Sequence, residues 1–210
     1  MEPAALPKHQ VHPPTLLPNG VEFSVHTIPR AFRLDLQPVL PSIPLEGEPA
    51  FLLVPTCQRA AMDLVSWDDA VNREKDLLLE RFVAWAAHVC DALAARGYWG
   101  DYVDPCSGLA VRTPHSRIAY PEVDAFETLL KWRTSLAGCC KVLAHPTWGT
   151  SVYLATLFAR APMDVLLEVL AEAAASVPVK QRLDAEAAGE GGGSGASGGG
   201  GSGACSAAGR

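Results

Sequence analysis

No C-x-x-C pair occurs among the six cysteines, and none of their spacings suggests a zinc site. The chain has no apolar run long enough to span a bilayer. Its N-terminus carries no charged-then-apolar signal pattern, and the first arginine is Arg30, which argues against secretion and against a mitochondrial presequence. Charged residues make up only 19% and the formal net charge is -6, so nucleic acid is not an expected partner, and without a spanning run neither is a membrane. Dinucleotide and phosphate-loop motifs are absent. Gly191-Gly192-Gly193-Ser194-Gly195 does not qualify, because no strand precedes it and no helix follows. These absences, with cysteines that fit a reducing compartment, favour the cytoplasm, with mitochondrial delivery left open.

What is present suffices for one domain. Of 210 residues, 49% are apolar. Residues 1–19 hold five prolines and read as a flexible arm. Residues 20–177 carry the patterned segments. Residues 178–210 contain most of the glycines, with serine and alanine between them, and read as a disordered tail.

Within the domain, Val21 to His26 alternates apolar and polar, as a half-buried strand does. After a proline-punctuated linker, Ala50 to Val54 reads as a strand buried on both faces. Trp67 to Arg96 reads as a long helix with Ser66 as N-cap and Gly97 as stop. Its expected buried stripe is Leu79, Phe82, Val83, Ala86, Cys90, Leu93 and Ala94. Tyr98 to Val103 and Leu109 to Thr113 read as strands around a turn at Asp104-Pro105. Asp124 to Trp132 reads as a short helix, and Met163 to Ala175 as the last one.

The chemistry concentrates at Gly138-Cys139-Cys140-Lys141. The run through His145, a turn around Pro146 and Gly149, and the run Val152 to Phe158 read as a hairpin. Strand alternation puts Cys140, Val142 and Ala144 on an apolar face, and Cys139 with Lys141, Leu143 and His145 on the other. A thiol beside a cation ionises more readily, which singles out Cys139, with Lys141 tuning it. The pattern also allows both thiols to pack as small hydrophobes. Cys/His hydrolysis is disfavoured, because His145 would stand roughly 20 Å from Cys139 along a strand, which leaves only His26, His88 or His115 to approach. One thiolate cannot close a zinc site, but it can fill the open position of a metal held elsewhere, including a corrin cobalt.

Gly97-Tyr98-Trp99 with Asp101, then Asp104-Pro105 and Ser107-Gly108-Leu109-Ala110, begin a likeness. Gly138-Cys139-Cys140-Lys141-Val142 with His145, Trp148-Gly149-Thr150 and Phe158 complete it. Together these resemble the CblD-type cobalamin trafficking family, over roughly residues 20–162. The resemblance implies an α+β, nitroreductase-like sandwich without flavin, flanked by disordered termini, and a non-enzymatic adaptor. It implies cobalamin shared with a CblC-type processing protein rather than held tightly alone, and no FMN. It implies Cys139 as the thiolate ligand to the cobalt, with the cofactor directed to methionine synthase and to methylmalonyl-CoA mutase. The alternative is an FMN-dependent nitroreductase-like oxidoreductase.

Overall fold

The computed structural model describes residues 8–113, 117–138 and 140–176. Its centre is a five-stranded antiparallel sheet in the order β1-β2-β3-β7-β4. The strands are β1 (Gln10–Leu16), β2 (Val21–Thr27), β3 (Phe51–Arg59), β4 (Trp99–Tyr102) and β7 (Val152–Arg160). A separate two-stranded sheet pairs β5 (Arg133–Ala137) with β6 (Cys140–Ala144). Four helices complete the molecule: α1 (Arg33–Val39), α2 (Asp69–Ala95), α3 (Glu122–Leu130) and α4 (Met163–Ser176). The mixture of helices with a mainly antiparallel sheet agrees with the expected α+β class.

Each face of the large sheet is covered differently. On one face Val21, Phe23 and Val25 of β2, Leu52 and Val54 of β3, and Ala155, Leu157 and Ala159 of β7 form a continuous apolar surface. Against it pack Phe82, Trp85, Ala86, Val89, Cys90 and Leu93 of α2, and Leu166, Val169 and Leu170 of α4. Burying each of these larger side chains contributes about 1.5–3 kcal/mol. On the opposite face Phe51, Leu53 and Phe158 meet Leu36 and Val39 of α1 and Ala125 and Leu129 of α3. A third cluster joins Cys57, Phe126, Leu143 and Val152 where the small sheet docks.

Several sequence expectations need correction. The run Cys139 to His145 does not form a hairpin with Val152 to Phe158. β6 pairs with β5, and β7 lies between β3 and β4. Nine register pairs with β3 outcompete the short local alternative. Residues 10–16, read as part of an arm, form edge strand β1 despite Pro13 and Pro14. Its ladder with β2 carries register irregularities there, which is how an edge tolerates proline. β3 continues through Pro55 to Arg59, although the apolar run ends at Val54. The β2–β3 ladder is interrupted between Phe23↔Thr56 and His26↔Leu53, so the missing donor of Pro55 breaks no ladder pair on that side.

The cap of α2 is Asp68, not Ser66: its carboxylate accepts the Val71 N–H at 2.9 Å. The buried stripe runs through Leu78 rather than Leu79, and Ala94 is exposed. Residues 109–113 make only an isolated bridge, Val103↔Ala110, rather than a strand. α1 was not anticipated, because Pro38 lies inside it. The tail from 178 onward lies outside the described residues.

Gly100 shows how tightly β4 meets α2. A Cβ there would stand 2.8 Å from Leu93 Cδ1 and 3.4 Å from Cys90 Sγ. Gly100→Ala is expected to lower stability by about 1–3 kcal/mol through overpacking. Urea denaturation of the two proteins measures this.

Candidate functional site

The β5–β6 hairpin stands on the α3 side of the large sheet. Ala137 pairs with Cys140, so the strands are joined by a two-residue connection that opens with Gly138 at φ 64°. A positive φ at the first turn position suits the twist of a tight hairpin and favours glycine. The strand therefore begins at Cys140, and alternation cannot be applied to Cys139, which lies outside the described residues. Leu136, just before the turn, is 78% exposed.

Three contacts hold the hairpin down. Lys141 reaches α3, where its ammonium donates to Asp124 at 2.9 Å and to Glu127. The hydrogen bonds to Glu127 and Asp124 raise the Lys141 pKa, and the Glu127 carboxyl is lowered by the bond to Lys141. Leu143 is buried in the cluster with Phe126, Cys57 and Val152. His145 is also buried, and its Nε2 lies 3.1 Å from Glu22 Oε1 on β2.

His145 ties the small sheet to the large one. Its Nδ1 accepts the backbone N–H groups of Thr147 and Trp148, each at 3.1 Å. With Nδ1 an acceptor, the ring proton belongs on Nε2, which donates to Glu22. Trp148 stacks on the imidazole at 4.0 Å and 15°, and Trp132 meets it edge-on at 4.7 Å and 86°. The expected faces are thus inverted at this end of β6: Leu143 and His145 point into the protein, while Val142 and Ala144 are half-buried. The sequence pattern misled because the groups that cover this face lie elsewhere in the chain: Leu143 meets Cys57 and Phe126, and His145 meets Glu22, 123 residues distant.

A second polar group joins α3 to β7. Glu122 opens α3, and its Oε1 is 2.6 Å from the Thr156 hydroxyl of β7. The residue is half-buried, but loss of solvent around its carboxyl pushes the pKa up to about 7, against the opposing Thr156 hydrogen bond. Burial, then the carboxylates of Glu22 and Glu122, pushes the Cys57 thiol well up. Burial pushes Cys90 up to about 12, with Arg112 pulling the other way. Neither thiol is a reactive thiolate at neutral pH.

The remaining candidates divide clearly. His26 lies fully buried on β2, 2.9 Å from the Ser24 hydroxyl, and burial followed by His9 depresses its pKa to about 4. A Ser/His pair without solvent access is structural. His88 is exposed on α2, and His115 and Cys205 lie outside the described residues. Asp104 organises its turn by accepting from Cys106 N, Ser107 N and the Ser107 hydroxyl. Asp101, fully buried, accepts the N–H groups of Tyr102, Arg112 and Thr113. Sequence reasoning missed Glu22, Glu122 and Trp132 as parts of the site, since each acts through a partner distant in the chain. Among the described residues no group of three or more His, Cys, Asp or Glu is placed to hold a metal ion, and no helix is long and apolar enough to cross a membrane.

Two outcomes follow from this geometry. His145→Phe keeps the ring stack but strands two N–H groups and Glu22. Amide exchange across β5 and β6 is then expected to accelerate by about one order of magnitude or more, with β3 and β7 little changed, because losing a hydrogen-bond partner costs about 1–3 kcal/mol. Glu122 keeps its proton in the folded state at pH values where the unfolded chain has lost it. Its contribution therefore falls as pH rises from about 4.5 to about 7, by on the order of 1–3 kcal/mol, and is level above that. In chemical denaturation across this range, Glu122→Gln should flatten that decline.

Residues 8–170 match the family of the methylmalonic aciduria and homocystinuria type D protein. Cobalamin trafficking protein CblD of Mus musculus and that of Homo sapiens are each 33% identical to the chain over 144 residues, covering 69% of it and 48% of the relative. That of Gallus gallus is 31% identical over the same length. The chain spans about half the length of the curated relatives it matches. A match across most of the chain, including the hairpin and its anchors, shows that the chain belongs to the methylmalonic aciduria and homocystinuria type D protein family.

Proposed function

We propose that this chain is a cobalamin trafficking adaptor that meets a CblC-type processing protein and gives the thiolate of Cys139 to the cobalt of the vitamin. The observation that carries the reading is the hairpin itself: a short turn opened by Gly138, with Leu136 exposed beside it, on a base fixed by Lys141, Leu143 and His145. By sequence, Cys139 belongs to that turn. A thiol at the tip of an anchored hairpin can enter a partner's cleft at small ordering cost, because the base is already ordered. The relatives are cobalamin trafficking proteins, which favours this reading over a flavin oxidoreductase.

In this reading the chain's contribution is positional. The cobalamin arrives with the partner, and the chain supplies one soft ligand for an open axial position. Proton loss from the thiol precedes the bond, since the thiolate is the donor. Lys141 is the nearest cation in sequence, but its charge is shared with Asp124 and Glu127, so its pull on the thiol is small and its main work is to hold the base. A nitroreductase-like fold without flavin, a cytoplasmic location and delivery toward methionine synthase or methylmalonyl-CoA mutase complete the proposal.

The test is the visible spectrum of cobalamin in a mixture of this protein with a CblC-type protein. The unaltered chain is expected to produce a sulfur-to-cobalt band, and Cys139→Ser to abolish it. Cys140→Ser should retain it. Loss with Cys140→Ser but not with Cys139→Ser would refute the assignment of the ligand.

A further inference from the structure

A cleft of about 530 Å³ opens at the base of the hairpin, on the side away from its turn. Leu130, Trp132, Ala144, His145 and Pro146 form its walls, and Lys131 and Arg133 stand at its rim. Its volume is within the ordinary range for small-molecule sites, roughly 300–1,000 Å³.

Its charge is one-sided. Lys131 and Arg133 are exposed, no carboxylate lines the cleft, and neither cation forms an ion pair among the described residues. Lys141, on the same hairpin, is satisfied twice over. In a chain of net charge -6, two neighbouring cations without carboxylates are an uncompensated feature. Lys131 also holds φ 56°, and among the described residues it is the one non-glycine with positive φ. Glycine or asparagine would end α3 there with less strain. A lysine in that position ends the helix and also brings an ammonium to the rim.

The wall between the two cations is aromatic and fixed. Trp132 is half-buried, with its ring set against His145 and Phe126, and His145 is immobilised by Glu22 and the two N–H groups of the turn. Rigid aromatic surface with a cationic rim suits a ligand that has a planar ring and an attached phosphate. The ring would lie against the exposed part of the Trp132 indole, which His145 backs from inside, and the phosphate between ammonium and guanidinium.

We infer that the cleft formed by Lys131, Trp132, Arg133 and His145 is a binding site for an aromatic phosphate ester. Two sources share this chemistry: a free nucleotide, and the tail of cobalamin, which joins a benzimidazole to a phosphodiester. The site is independent of the thiolate reading, and its test contains no cobalt, so each can fail without the other.

Calorimetric titration of the full chain uses adenosine 5′-monophosphate, α-ribazole 3′-phosphate, adenosine and inorganic phosphate as probes. At least one of the two phosphate esters is expected to bind saturably with one site, and adenosine and phosphate alone about tenfold or more weaker. The tighter of the two esters identifies the source. Lys131→Gln with Arg133→Gln should weaken binding about tenfold or more without moving the thermal midpoint, since both side chains are exposed. Lys131→Gly separates backbone from charge: it is expected to raise the midpoint by relieving the positive φ while still weakening binding. Absence of saturable binding by either ester, or equal binding by the double variant, would overturn the inference.

Discussion

The imidazole of His145 is the point at which two sheets and a turn become one structure. It donates to Glu22 on β2, accepts twice from the turn that leads to β7, and lies against two indoles. All of its hydrogen-bonding capacity is consumed inside the protein. A two-stranded hairpin alone is marginal in water, and β5 is largely exposed, so its order depends on this anchor together with Leu143 and Lys141. A residue that the spacing of the chain removes from thiol chemistry thus acts one step back, by deciding where the turn can be.

Burial and charge then separate the cysteines by role. Cys57 and Cys90 face the two packed faces of the large sheet, and burial keeps them as neutral thiols. Glu122, whose pKa burial raises to about 7, adds little negative charge beside Thr156 and Cys57 in mildly acid solution. The proposed chemistry is left to the turn that Gly138 opens, beside the exposed Leu136.

Legibility in the sequence followed the range of the interactions. Elements specified locally came through: β2 and the early part of β3 by their apolar runs, α4 by its leucine face, and the Asp104 turn by its Asp-Pro-Cys-Ser-Gly composition. Where long-range pairing decides, local pattern failed. β6 and β7 look like consecutive strands of one hairpin, yet β3 claims β7 along nine residues and β6 turns back to β5. The faces of β6 were misread for the same reason: alternation gives two faces but not which is covered, and here α3 and Glu22 cover the one bearing Lys141 and His145. Asp68 displaced Ser66 because either can cap, and the geometry of the preceding loop selects between them. The Gly-Cys-Cys-Lys motif was legible as chemistry, while the cleft beside it was not, since it needs the end of α3 and the end of β6 together.

The central claim is that this hairpin exists to deliver a sulfur ligand to a metal carried by another protein. Cobalt K-edge absorption of cobalamin in the mixture with a CblC-type protein addresses it directly, because the fine structure distinguishes sulfur from nitrogen or oxygen in the first coordination sphere. The account predicts one sulfur scatterer at bonding distance with the unaltered chain and none with Cys139→Ser. A first sphere of nitrogen and oxygen alone, with the two proteins shown to be associated, would contradict it.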